Sequence, residues 1–125
     1  MENLVIEATK STPIVNLDAN SNILKMEGES YPENVTAFYN PIFEWIENYI
    51  NQLNASATID LKLSYLNTSS SKAFMKLLDM FEEASQQGKN ITINWHYDAE
   101  NEMAKECGEE FKEDLELPFN LVEDN

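Results

Sequence analysis

Residues 58–97, with the sequence TIDLKLSYLNTSSSKAFMKLLDMFEEASQQGKNITINWHY, decide the fold class of this chain. Residues 58–66 alternate apolar and polar side chains, as a half-buried strand does, and residues 91–97 alternate in the same way. Between them an apolar stripe at helical spacing, closed by Gly88, consists of Phe74, Leu77, Leu78, Phe81 and Ala84. A strand, a helix and a second strand in this order predict two parallel strands joined by a right-handed crossover.

Segments on either side extend this unit into a larger sheet. Further strands are predicted at residues 4–6, 14–17, 23–28 and 117–122, and further helices at residues 35–53 and about 100–114. The first three strands follow one another directly and are expected to form a meander. Strands alternate with helices through the rest of the chain, and no Pro-, Gly- or Ser-rich linker divides it. We therefore predict an α/β fold, a mixed sheet with helices packed on it, in a single domain over residues 1–125.

Three details of the helices can also be predicted. Residues 30–33 offer a helix start with Pro32 in the first turn. Pro41 interrupts the apolar stripe that follows, which predicts either a kink or a new segment capped by Asn40. In the acidic helix, the side chains predicted to face the sheet are Met103, Cys107 and Phe111.

The charge of the chain limits its partners. It has 8 basic residues, all of them Lys, against 23 acidic residues, and its net charge is −15. Nucleic acids and anionic membranes need a basic surface, and polyphosphates are commonly clamped by Arg, so none of these is an expected ligand. Residues 1–7 lack the pattern of a signal peptide, and no apolar stretch approaches the roughly 18 residues that span a bilayer. We expect a cytoplasmic protein with protein partners.

Patterns typical of catalysis or metal binding are weak. His96, the only histidine, is predicted in the middle of a strand, where it would need a nucleophile and an acid brought to it by the fold. Residues 98–102 offer carboxylates but lack the glycine turn and closing Glu of a calcium loop. Cys107 is the one cysteine, so a Cys-based zinc site would lack partners. No metal and no other cofactor is expected, and a small enzyme using His96 is the least favoured function.

The most informative polar segment is Asn67-Thr68-Ser69-Ser70-Ser71-Lys72. It lies between the end of a predicted strand and the start of a helix, where open α/β sheets often place functional residues. One of these side chains is needed to bond the free N–H groups of the helix. A phosphate on one of the four hydroxyls would meet the positive end of the helix dipole and add about −1.5 to −2 charge. The residues alone allow both a plain cap and a phosphorylated switch.

Five segments, in order along nearly the whole chain, resemble the SiaC family of bacterial regulatory phosphoproteins. They are residues 4–13 (LVIEATKSTP), 30–34 (SYPEN), 65–72 (YLNTSSSK), 94–98 (NWHYD) and 114–120 (DLELPFN). The resemblance implies a fold similar to the STAS domain of anti-sigma-factor antagonists, in which an Asp-Ser-Ser turn carries the phosphorylated serine. Asn67-Thr68-Ser69 takes that place here, and Asn in place of Asp fits the SiaC family.

The resemblance also implies partner switching. The unphosphorylated protein would bind and activate a diguanylate cyclase, in cyclic-di-GMP signalling and biofilm control. A serine/threonine kinase would phosphorylate Thr68, and a PP2C-type phosphatase would remove the phosphate. The expected partner-binding residues are Asn67, Thr68, Ser69, Ser70, Ser71 and Lys72, with secondary contacts from Thr9, Lys10, Thr12 and Pro13. The alternative function on the same fold is a STAS-type antagonist that acts on an anti-sigma factor.

Overall fold

The alternating segments of the chain form one sheet of six strands, which lie in sequence order from β1 to β6. The computed structural model describes residues 1–124. The strands are β1 (Leu4–Ile6), β2 (Ile14–Asp18), β3 (Ile23–Ser30), β4 (Ala57–Leu66), β5 (Ile91–Asp98) and β6 (Phe119–Asp124). The helices are α1 (Val35–Gln52), α2 (Thr68–Gln86) and α3 (Glu102–Glu113).

The sheet has an antiparallel part and a parallel part. β1, β2 and β3 pair antiparallel, which confirms the predicted meander. β3, β4, β5 and β6 pair parallel, and each of these pairs is connected by one of the three helices. The predicted α/β class with a mixed sheet is therefore confirmed. Among residues 1–124, no helix is both long and apolar enough to cross a membrane.

Successive side chains of each strand point to opposite faces of the sheet. Leu61 and Ile93 belong to the buried face, where they pack in the hydrophobic core together with residues of the helices. Asp60, Lys62 and His96 alternate with them on the opposite face and stay partly accessible. Burial of an aliphatic side chain such as Leu61 contributes about 1.5–3 kcal/mol, so a one-residue slip of β4 would be strongly unfavourable.

The start of α1 differs from the prediction. The helix begins at Val35, and the side chain of Asn34 accepts a hydrogen bond from the Ala37 N–H at 3.0 Å. Pro32 therefore lies before the helix, because the Asn34 amide already caps it. Pro41 lies inside an uninterrupted helix, so the prediction of a new segment capped by Asn40 is wrong. Pro41 lies on the exposed side of the helix, where its ring does not disturb the core.

The buried side of α3 also differs from the prediction. Met103 is 69% exposed, whereas Ala104 and Gly108 are buried against the sheet. Cys107 and Phe111 are half-buried at the margin of this contact. Small residues face the sheet because the Trp95 indole occupies the space there and donates its N–H to the Ala104 carbonyl at 2.9 Å. The prediction for α3 is therefore wrong for Met103, whereas Cys107 and Phe111 pack against the core as predicted.

Two smaller findings concern the C-terminal third of the chain. The last strand runs from Phe119 to Asp124 instead of residues 117–122, and its parallel pairing with β5 begins with Phe119 opposite Ile93. Burial, aided by the charge of Glu110, raises the pKa of the Cys107 thiol to about 11. Cys107 is therefore protonated at neutral pH.

Candidate functional site

Asn67 joins β4 directly to α2 and caps the helix. Its side-chain oxygen accepts from the Ser70 N–H at 2.9 Å, and its own N–H donates to the Ser30 carbonyl at 3.1 Å. The turn is thus tied both to the helix that follows it and to the end of the neighbouring strand. The cap that the sequence required is supplied by Asn67 and not by one of the four hydroxyls.

The hydroxyls of the segment have different environments. Thr68, the first residue of α2, is exposed, and so are Ser69 and Lys72. Ser71 is half-buried. Residues four apart in a helix lie on one side, so Lys72 follows Thr68 along the same side of α2. A group attached to the Thr68 oxygen would therefore lie near free helix N–H groups and within reach of one lysine.

Ser70 is fully buried, which contradicts its expected role as a partner contact. Its hydroxyl bonds to the Ser30 hydroxyl at 2.8 Å, and Ser30 bonds to the Tyr39 hydroxyl at 2.6 Å. Burial raises the pKa of Tyr39, so its hydroxyl remains neutral and able to donate. The three hydroxyls join α1, β3 and α2 beneath the exposed turn, and they hold Thr68 in place from the inside.

Apolar side chains surround the exposed turn. Tyr65 at the end of β4 is 42% exposed, and Met75 on α2 is 49% exposed. The Tyr31 ring meets Tyr65 edge to face, with 6.0 Å between the ring centres. We call the surface formed by Tyr65, Thr68, Ser69, Lys72 and Met75 the Thr68 face. Large exposed apolar groups beside a polar turn are typical of a protein-binding surface.

The loop of Thr9, Lys10, Thr12 and Pro13 is linked to this face through Tyr31. The Tyr31 N–H donates to the Ser11 carbonyl at 2.8 Å, which brings the loop to the same end of the sheet. Thr9 and Thr12 share a hydrogen bond of 2.6 Å between their hydroxyls, and Thr12 and Pro13 are buried. The buried Thr12 and Pro13 therefore serve mainly to shape the loop. Thr9 and Lys10 are exposed and accessible to a partner.

His96 lies on the open face of the sheet, the face opposite the core. Its ring nitrogens are 3.5 Å from an Asp60 oxygen and 3.4 Å from Asp124. Lys62 pairs with Asp98 at 3.2 Å and with Asp124 at 3.3 Å, and these hydrogen bonds raise the pKa of Lys62. The structure thus surrounds His96 with carboxylates. Within residues 1–124, no group of three or more His, Cys, Asp or Glu side chains is arranged to hold a metal ion.

The apolar part of the Thr68 face was not predicted from the sequence. Tyr65 lies near the end of a strand whose alternation gives it no special role, and Met75 lies outside the apolar stripe of α2. Tyr31 and Tyr65 are 34 positions apart in the sequence, so only the register of β3 on β4 places them together. The sequence signal that could have indicated this surface is the presence of Tyr65 before the turn and Met75 after it, because aromatic and Met side chains are common in protein interfaces.

The cap can be tested by substitution. Asn67→Ala removes the acceptor for the Ser70 N–H and is expected to lower the free energy of unfolding by about 1 kcal/mol. Asn67→Asp keeps an oxygen at that position next to the positive end of the helix and is expected to preserve stability. Urea denaturation followed by circular dichroism measures both variants. Asn34→Ala, which removes the equivalent cap of α1, is the matched control. Unchanged stability of Asn67→Ala would contradict the capping role.

Comparison with known proteins gives one family. Residues 6–124 match the model of the SiaC family of regulatory phosphoproteins. An uncharacterized protein of Pseudomonas aeruginosa strain UCBPP-PA14 is 43% identical over 121 residues, which cover 97% of this chain and 96% of that protein. The solved structure of SiaC from P. aeruginosa is 40% identical, covers 99% of this chain and 100% of its own, and has a TM-score of 0.93. This chain also matches a chain in the crystal structure of the P. aeruginosa diguanylate cyclase SiaD in complex with its activator SiaC. The identity is 41% and the TM-score is 0.93, and the match covers 97% of this chain and 99% of the matched chain.

Proposed function

Because the chain belongs to the SiaC family of regulatory phosphoproteins, we propose that it activates a diguanylate cyclase by binding to it and that phosphorylation of Thr68 ends the binding. The P. aeruginosa activator SiaC has the same fold and is found in complex with the cyclase SiaD. Identity of 41% over 97% of this chain supports an equivalent partner here. The chain acts by contact and not by catalysis.

The observation that carries the proposal is the environment of Thr68. Its hydroxyl is exposed at the first position of α2, while Asn67 supplies the cap and Ser70 is buried. Thr68 is therefore free to be modified without loss of the helix end. Ser69 is also exposed, and the resemblance to the family favours Thr68 over Ser69 as the acceptor.

The physical effect of the phosphate is local. It adds about −1.5 to −2 charge to the Thr68 face, which includes Lys72, and it enlarges the side chain of Thr68. A partner surface fitted to a neutral hydroxyl would meet both a charge and extra volume. The fold need not change for the partner to be released.

Two further partners belong to this proposal. A serine/threonine kinase adds the phosphate, and a PP2C-type phosphatase removes it, so that the cyclase and the kinase compete for the Thr68 face. Kinase and cyclase both use nucleoside triphosphates, which supports a cytoplasmic location. Lys10 and Thr9 provide secondary contacts from the neighbouring loop, and Asn67, Ser71 and Lys72 contribute through the turn itself.

The proposal is tested by reconstitution. The full-length diguanylate cyclase encoded in the same genome is incubated with GTP, with and without the unphosphorylated chain, and cyclic-di-GMP is quantified by chromatography. We expect the chain to raise the rate at least about tenfold, which corresponds to roughly 1.4 kcal/mol of stabilisation of the active cyclase. The control is the chain fully phosphorylated on Thr68, which should leave the basal rate unchanged. No activation, together with recovery of an anti-sigma factor when the chain is purified from its host, would favour the antagonist function instead.

A further inference from the structure

The backbone on both sides of Thr68 is hydrogen-bonded to the end of β3. The Asn67 N–H donates to the Ser30 carbonyl at 3.1 Å, and the Ser70 N–H donates to the Asn67 side chain at 2.9 Å. A bond of 2.8 Å between the Ser70 and Ser30 hydroxyls closes this set into a loop of bonds. Thr68 lies between Asn67 and Ser70 in the chain, so its position depends on where Ser30 is held.

A shift in strand register places Ser30 at this position. The pairing of β3 with β4 changes by one residue after Gly28, so that Ser30 lies opposite Leu66. Gly28 has a φ of +128°, which residues with a side chain rarely adopt, and a Cβ atom there would be 3.3 Å from the Cα atom of Pro13. Irregularities of this kind often redirect a side chain beside a functional site. The irregular end of β3 is therefore part of the arrangement beneath the turn.

Tyr39 links this arrangement to α1. Its hydroxyl bonds to the Ser30 hydroxyl at 2.6 Å, and only 1% of the residue is exposed. Its aromatic ring packs edge to face against Phe74 of α2, with 5.9 Å between the ring centres, which fixes the position of the hydroxyl. Ser30 and Ser70 are fully buried as well, so the three hydroxyls depend on one another for partners. We call Ser30, Tyr39 and Ser70 the hydroxyl network and expect it to act as one unit.

We propose that Ser30 and Tyr39 are positioning residues for the phosphorylation of Thr68, because they hold the turn so that the Thr68 hydroxyl meets the kinase in one orientation. The role rests on the proposed function, since a kinase must modify Thr68. In that reaction the Thr68 oxygen bonds to the γ-phosphorus of ATP as the bond from this phosphorus to ADP breaks, and the hydroxyl proton passes to a base of the kinase. A displacement of the reacting oxygen by about 1 Å can lower the rate of such a step about 100-fold.

The same helix contains a matched control for Tyr39. Tyr49 is also fully buried on α1, and its hydroxyl donates to the Asn22 side chain at 2.7 Å. Asn22 directly precedes β3, whereas Ser30 ends it, so the two tyrosines bond to opposite ends of one strand. Tyr39→Phe and Tyr49→Phe therefore remove the same buried, hydrogen-bonded hydroxyl from the same helix, but only the first change affects the hydroxyl network.

The test measures phosphorylation of the full chain by the serine/threonine kinase of the same genome, with radiolabelled ATP. Tyr39→Phe is expected to lower kcat about fivefold and to leave KM within about twofold, because the surface that the kinase binds is kept while the hydroxyl is displaced. Tyr49→Phe should change neither constant by more than about twofold. A mere loss of folded protein would raise the apparent KM instead. Equal kcat values for the two variants would overturn the proposal.

Ser30→Ala is an independent variant, which removes the hydroxyl between Tyr39 and Ser70. It should lower kcat at least as much as Tyr39→Phe. If the network acts as one unit, the double variant is no slower than Ser30→Ala alone, whereas independent losses would multiply. Multiplied losses would overturn the network as the cause. Circular dichroism verifies the fold of each variant, and Ser30→Ala decides the question if Tyr39→Phe does not fold.

Amide hydrogen exchange, followed by NMR, separates this role from the proposed function. The Ser70 N–H should exchange about fivefold faster in Tyr39→Phe than in the wild type or in Tyr49→Phe, because the start of α2 opens more readily. Unchanged exchange would refute the positioning role even if Thr68 is the phosphate acceptor. A wild-type chain that the kinase does not phosphorylate on Thr68 would refute the proposed switch and the positioning role with it.

Discussion

Phosphorylation of Thr68 is expected to weaken binding of the chain to the cyclase by about 100-fold, the effect of a few kcal/mol of unfavourable charge at an interface. The phosphate would lie at the exposed start of α2, at the centre of the Thr68 face and beside Lys72. The measurement is calorimetric titration of the cyclase with chain phosphorylated on Thr68 and with unmodified chain. Thr68→Ala should bind like the unmodified chain, and Thr68→Asp should lose a smaller part of the affinity because it carries one charge.

The control for this prediction separates position from charge. Ser56→Asp replaces an exposed hydroxyl with a negatively charged carboxylate. Ser56 lies in the loop before β4, at the other end of the sheet from Thr68. It should bind the cyclase as tightly as the unmodified chain. If Thr68→Asp and Ser56→Asp reduced affinity equally, net charge and not the Thr68 face would explain the loss. If phosphorylated chain bound as well as unmodified chain, Thr68 would not be the switch.

Gly108→Ala is expected to destabilise the protein by about 2 kcal/mol, although Ala favours helices over Gly by about 1 kcal/mol. A Cβ atom at this position of α3 would contact the Trp95 indole, 2.6 Å from its Nε1, and would lie 2.9 Å from a Leu121 methyl carbon. Trp95 is fully buried, and its side chain cannot move away from the added Cβ because its N–H donates to the Ala104 carbonyl and its ring packs against Phe111. Overpacking therefore outweighs helix propensity.

The stability of Gly108→Ala can be measured by urea denaturation and by the melting temperature. A loss of 2 kcal/mol corresponds to a decrease in Tm of roughly 8 °C for a domain of this size. Glu109→Ala, on the exposed side of the same helix, is the matched control and should change stability by less than about 0.5 kcal/mol. If Gly108→Ala were as stable as the wild type, the close packing of α3 on Trp95 would be wrong.

Much of the fold follows from patterns within single segments. The alternation in residues 58–66 and 91–97, with an apolar helical stripe between them, predicted the parallel unit formed by β4, α2 and β5. These patterns are reliable because one face of each element must be buried, and the period of the apolar residues states whether that element is a strand or a helix. The polar run at residues 67–72 was likewise recognisable, since a helix start requires a cap.

The sequence by itself therefore determined the fold class, the position of the capped turn and, by resemblance, the family, whereas the role of Thr68 stays a prediction. Only the tertiary structure decided that Asn67 is the cap, that Ser70 is buried beneath the exposed turn and that Met103 is exposed. The physical reason is that periodicity records which side of an element is apolar, but not which neighbour meets it. Ser70 can be buried because the hydroxyl of Ser30, 40 positions away, bonds to it and in turn bonds to the Tyr39 hydroxyl. The small residues of α3 face inward because Trp95 fills the space beneath them.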